Sequence, residues 1–143
     1  MAKMIFVNLP VTDLVRATAF YETIGAVKNP QFSGDTASCM VFSETIHCML
    51  LTHNKYNEFQ SKKIADTRTT SAVLLCLSAD SRSEVDTVVD KVAAAGGIPD
   101  PEPKHDDSFM YGRCFYDPDG HAWQLMWMDD AEAFQTQPAA ENA

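Results

Sequence analysis

The stretch Ile5-Phe6-Val7-Asn8-Leu9-Pro10-Val11-Thr12-Asp13-Leu14, running on to Ala19-Phe20-Tyr21, decides how the chain is read. Ile5 to Val11 has the β-branched, apolar character of a strand. Thr12-Asp13 then offers side-chain oxygens that accept hydrogen bonds from the orphan backbone N–H groups of a helix. Leu14, Ala17, Tyr21 and Ile24 recur at helical spacing, and Gly25 stops the run. A strand thus passes directly into an acid-capped helix.

The same order returns later in the chain. Ser71 to Ala79 is rich in Val and Leu, and Ser81-x-x-Glu84 has the form of a capping box. Val85, Val88, Val89 and Val92 line one helical face before Gly96-Gly97. In the first half, Thr36 to Ser43 and Ile46 to His53 form a hairpin with Ser43 opposite Ile46. In the second, Phe109 to Tyr116 and His121 to Met128 flank Asp117-Pro118-Asp119-Gly120, a turn signal. The two halves therefore read as an internal duplication, with module one at about 4–53, a linker at 54–70 and module two at about 71–129. Together they make one domain over 1–129, and 130–143 reads as a flexible tail.

Composition narrows the partners. The chain has 143 residues, 45% of them hydrophobic, enough for a core without disulfides. Its net charge of -9 repels phosphate backbones and anionic lipid, so neither nucleic acid nor a membrane is expected as a partner. No apolar run approaches the roughly 18 residues of a span, and the first residues do not form a signal peptide. A cytoplasmic location is expected. Cys39, Cys48, Cys76 and Cys114 lack any Cys-x-x-Cys pairing, which suits free thiols in a reducing compartment.

The strand-to-helix entry ending in Phe20-Tyr21 and the late Tyr116-Asp117-Pro118-Asp119-Gly120-His121 resemble two motifs of the vicinal-oxygen-chelate superfamily, which holds glyoxalases, bleomycin resistance proteins and extradiol dioxygenases. Within it the chain is most similar to uncharacterised bacterial glyoxalase-like proteins. The resemblance implies an α+β fold of paired βαβββ modules, whose mixed sheet curls into a cup with helices outside. It also implies a homodimer and a small-molecule ligand in the cup. Catalytic members hold a divalent ion there on His, Glu or Gln side chains.

Matched residue by residue, those ligands are missing. The first position, seven before Asp13, is Phe6, and its counterpart before Asp80 is Val73. The third falls on Leu50 and the last on Gln124. Only Gln124 has a donor atom, and a lone amide is a poor divalent site. The expectation is no metal and no cofactor.

Period-two alternation assigns the cup lining. With Tyr116 opposite His121, Arg113 lies opposite Gln124 and Tyr111 opposite Met126. With Ser43 opposite Ile46, Cys39 lies opposite Leu50 and Val41 opposite Cys48. The expected ligand-binding set is Phe6, Asn8, Cys39, Cys48, Leu50, Val73, Tyr111, Arg113 and Gln124, beside inward Val41, Thr52, Leu75, Phe115, Ala122 and Met126. Tyr111, Arg113 and Gln124 are the candidates for a catalytic role. An inward Arg113 needs an anionic partner: a carboxylate or phosphate on a ligand, or a protein acid such as Asp106, Asp107 or Asp117. Cys39 and Cys48 read as buried small hydrophobes rather than a reactive pair. His47, His53, His105 and His121 read as surface or helix-facing.

Two functions remain open at this point. One is a protein that binds, and transforms without a metal by lyase- or isomerase-like chemistry, a small and perhaps anionic molecule. The alternative is a non-catalytic protein that sequesters a drug or metabolite, as bleomycin resistance proteins do. Metal-dependent lactoylglutathione lyase and extradiol dioxygenase activities are disfavoured by the ligand positions.

Overall fold

The structure is a computed structural model and describes residues 2–129; the tail expected over 130–143 lies outside them. The elements are β1 (Ile5–Val11), α1 (Leu14–Thr23), β2 (Val27–Asn29), β3 (Ala37–Val41), β4 (Ile46–Thr52), α2 (His53–Tyr56), β5 (Leu74–Ala79), α3 (Arg82–Val89), β6 (Ile98–Pro99), β7 (His105–Asp107), β8 (Met110–Tyr116) and β9 (Ala122–Met128). Among the described residues, no helix is long and apolar enough to cross a membrane.

Local chemistry sets the helix starts. Asp13 caps α1, its carboxylate accepting from the Arg16 amide at 3.1 Å. Ser81 caps α3 by accepting from the Glu84 amide at 3.0 Å, while Glu84 reaches back to the Asp80 amide at 2.8 Å. Each satisfies donors that the helix cannot use internally.

The strands divide into two mixed sheets of matching layout, β1-β4-β3-β2 and β5-β9-β8-β6, with β7 also on β8. In each, the first strand runs parallel to the last and the hairpin is antiparallel. The fold is α+β, and among the described residues the strands form no closed barrel.

One face of each sheet carries the helices. Leu9, Val11, Met40, Cys48 and Leu50 of the first sheet, and Tyr111, Phe115, Trp123 and Leu125 of the second, join Phe20, Tyr21, Val85 and Val89 in one core. Phe20 meets Phe115 at 6.1 Å, Tyr21 meets Trp123 at 5.9 Å and Phe42 meets Trp123 at 5.7 Å. Helix α1 therefore packs on both sheets. The opposite faces, called open below, turn away from this core, although Cys39, His47, Leu51 and Met126 on them are buried.

The Asp-Pro-Asp-Gly segment does more than turn the chain. Asp117 accepts from the Tyr21 hydroxyl at 2.6 Å and from the amides of Asp119 and His121, and Tyr21 accepts from the Trp123 indole at 2.9 Å. Asp119 accepts from both the amide and the hydroxyl of Thr12. His121 Nε2 donates to the Pro10 carbonyl at 2.7 Å. Gly120 has φ +90°, and a Cβ there would sit 2.6 Å from the Thr67 carbonyl. The turn thus clasps linker, first module and second module together.

Candidate functional site

The open faces follow from the registers. On the first sheet, Phe6 pairs with His47 and Asn8 with Met49 across β1 and β4. Cys39 pairs with Met49, and Val41 with His47, across β3 and β4. The open side is therefore Phe6, Asn8, Cys39, Val41, His47, Met49 and Leu51. On the second sheet, Cys76 and Cys114 both pair with Gln124, Ser78 and Gly112 with Met126, and Met110 with Met128. The open side there is Leu74, Cys76, Ser78, Met110, Gly112, Cys114, Tyr116, Ala122, Gln124, Met126 and Met128.

Phe6, Asn8, Cys39 and Gln124 thus stand on open faces, the first three on one sheet and Gln124 on the other. Val41, Ala122 and Met126 of the expected lining stand there too, and the remaining expected members do not. Both hairpins pair one residue away from the expected register: Val41 faces His47 rather than Cys48, and Tyr116 faces Ala122 rather than His121. A one-residue slip moves every side chain of a strand to the other face. Cys48 and Leu50 therefore point into the core with Met40. Thr52 pairs with Val11 on the core side. Tyr111 and Phe115 join the core likewise, and Arg113 pairs with Leu125 beneath α3. Leu75 pairs with Trp123 on the helix side, and Val73 precedes β5.

Arg113 consequently serves the fold. It is 7% exposed. Its Nε and Nη2 donate to Asp100 at 2.9 and 2.7 Å, and its Nη1 to Asp86 and Asp90 at 3.0 Å each. The acids are Asp86, Asp90 and Asp100, not Asp106, Asp107 or Asp117. The Tyr111 hydroxyl donates to Asp86 at 2.6 Å, and that bond pushes its pKa up to about 12. Neither side chain is a proton donor or anion hook for an open face.

Burial pushes the Cys39, Cys48, Cys76 and Cys114 thiols up, so all four favour the inert protonated form. Cys39 and Cys48 lie on opposite faces.

One residue was missed by sequence reasoning. His47 stacks on Phe6 with centroids 4.5 Å apart and planes 18° apart. It is buried, yet its Nδ1 has no hydrogen-bond partner. The period-two rule would have found it, had the hairpin register been known. His121 is buried in the turn clasp, and His105 lies 3.0 Å from Asp107 on an exposed strand.

The donor set does not fit the divalent centre implied by the resemblance. Phe6 and Val73 have no lone pair to give, Leu50 is turned into the core, and Gln124 stands between two thiols. Among the described residues, no group of three His, Cys, Asp or Glu side chains could hold a metal ion.

Cavities border both open faces. One of about 360 Å³ lies over the first sheet, between Asn8 and Leu51 below and Tyr56, Phe59 and Gln60 above. Another, of about 480 Å³, lies at the end of β5 and β9, where Ser78, Met126 and Met128 of the second sheet meet Asp80, Trp127 and Asp129. A larger hollow of about 880 Å³ opens under the linker, and its lining carries the charged side chains Lys62, Lys63, Asp66, Arg68 and Asp119.

A glyoxalase family model, described as glyoxalase/bleomycin resistance protein/dioxygenase superfamily, matches residues 3–125. The chain belongs to this superfamily. Solved structures agree with the fold. The hypothetical protein SA1046 from S. aureus is 25% identical, with 89% of this chain and 95% of that one covered and a TM-score of 0.72. A family enzyme from Burkholderia phytofirmans PsJN is 19% identical, at 89% and 99% coverage and a TM-score of 0.72. The fosfomycin resistance protein FosX from Listeria monocytogenes, in its hexagonal crystal form, is 18% identical, at 89% and 93% coverage and a TM-score of 0.63. No curated protein matches the chain.

Proposed function

We propose that this superfamily member is a cytoplasmic homodimer that binds a largely apolar, uncharged or cationic organic molecule on its open sheet faces without using a divalent ion. One observation carries the reading. The residues that β1, β3, β4, β5, β8 and β9 present to the open side include no Lys, Arg, Asp or Glu, and the one carboxylate that the edge strand β7 adds, Asp107 opposite Met110, lies 3.0 Å from His105 opposite Gly112. Away from that edge the surface is mainly apolar with polar ends in Asn8, His47, Ser78, Tyr116 and Gln124, the usual make-up of a small-molecule pocket. The preference for an anion expected from an inward Arg113 falls with that residue's position. The overall charge of -9 favours cationic guests over anionic ones.

Binding, rather than turnover, is the better reading, because Tyr111 and Arg113 are committed to α3 and the open-face thiols are held protonated. This is the sequestering role that bleomycin resistance proteins exemplify. A thermal-shift and calorimetric screen tests it, with cationic antibiotics, neutral aromatics and small acids including fosfomycin. Cationic or neutral compounds should raise the melting temperature, and Phe6→Ala or Gln124→Ala should lower their affinity about tenfold, roughly 1.4 kcal/mol. Stabilisation by small acids alone, or binding that requires a stoichiometric divalent metal, would overturn it.

A further inference from the structure

The open face of the second sheet is rich in sulfur. Met110 and Met128 are cross-strand partners, Cys114 follows two positions from Gly112 on the same side of β8, and Met126 pairs with Gly112. Gly112 leaves a gap in its strand, and the Met126 thioether fills it. A Cβ built on Gly112 would lie 2.6 Å from Met126 Sδ and 2.7 Å from its Cε. The Met126 sulfur therefore rests over β8, between Met110 on one side and Cys114 on the other. All three are at least half-buried, and a cavity borders Met126.

We propose that Met110, Met126 and Cys114 form a site for a soft monovalent cation, Cu(I) or Ag(I). Thioether and thiolate sulfurs are poor partners for hard divalent ions and select soft d¹⁰ ions. Long unbranched methionine side chains can close on such an ion without moving the backbone. Binding replaces the Cys114 S–H bond with a sulfur–metal bond and releases the proton to water, with no electron transfer. Cys76 is not a disulfide partner within the chain, since two strand spacings put its Cα about 9–10 Å from that of Cys114, beyond disulfide reach. The site shares the open face of the second sheet with the organic ligand proposed above, Cys114 being the cross-strand partner of Gln124, and the probe is the ion alone.

The test is an anaerobic titration of the native protein against a chromogenic Cu(I) chelator, repeated with Ag(I). The wild-type chain should withdraw one equivalent of ion. Met126→Leu, which conserves volume, and Gly112→Ala, which pushes the thioether out of its gap, should each weaken uptake at least tenfold. Cys114→Ser should do the same, while Cys39→Ser, on the other sheet, should leave it unchanged. Circular dichroism of each variant verifies folding. Failure of the wild type to compete with the chelator would overturn the proposal. So would uptake that survives both Met126→Leu and Gly112→Ala but disappears on alkylation of the thiols.

Discussion

At the scale of single residues, Arg113 shows how a charge can look like a site and act as a brace. Three carboxylates surround one guanidinium, and Asp86 and Asp100 are held below the usual carboxylate range, Asp86 mainly by the Tyr111 hydroxyl and Asp100 by Arg113. Removing the cation leaves Asp86, Asp90 and Asp100 facing one another, although water can reach all three because each is at least a third exposed. Arg113→Met should therefore cost about 2–3 kcal/mol in denaturant unfolding, near the low end for a broken buried pair. The pH dependence has a definite sign. A carboxylate with a folded pKa below its unfolded value contributes stability above about pH 4, lost as pH falls through the lower value. Wild type should weaken across that acid window, and Arg113→Met should show a flatter acid limb. An unchanged limb would separate Arg113 from the acids.

At the scale of elements, the Asp117–His121 turn is the joint between modules. Asp117→Ala would strand the Tyr21 hydroxyl and two buried amides, costing roughly 3 kcal/mol in thermal or urea unfolding. Burial holds the Asp117 pKa up, opposite to Asp86 and Asp100, so its ionisation opposes folding as pH rises through the folded value. Asp117→Asn keeps the acceptor for both amides and should cost less than the alanine change. Equal losses for the two variants would show that size alone matters there. The turn itself was legible in the sequence, as were the strand–helix entries capped by Asp13 and Ser81, because turns and caps depend on local chemistry. Register was not. Met49-Leu50-Leu51 is apolar on both faces, so alternation could not choose between pairing Cys39 with Leu50 and pairing it with Met49. The choice lies in the hairpin loop, where the amides of Phe42 and Ser43 both bond the Ile46 carbonyl and pairing begins at Val41 and His47. The same one-residue difference at Tyr116 and Ala122 moved Arg113 and Tyr111 from the expected lining into the core. Candidate residues on β1, at Cys39 and at Gln124 were legible only because their strands happened to be assigned the right face.

At the scale of the whole molecule, strands β1 and β5 are both sheet edges, and both carry exposed apolar side chains. Ile5 is 56% exposed, Phe6 49% and Leu74 57%. Unpaired edges with apolar faces favour association. A second copy is the partner proposed here, and charge makes the idea testable. Two chains of -9 repel one another, so an interface made from these apolar faces must form against that repulsion. Raising ionic strength screens the repulsion while leaving apolar contact intact. Sedimentation equilibrium should then show the dimer tightening from low salt to about 0.3 M salt. Leu74→Glu should weaken it at least a hundredfold, since it places two new carboxylates in the contact, while the monomer still unfolds cooperatively. A dimer that loosens with salt would instead be held by ion pairs, and one indifferent to Leu74→Glu would use a different surface; either result removes the open sheet faces from the interface.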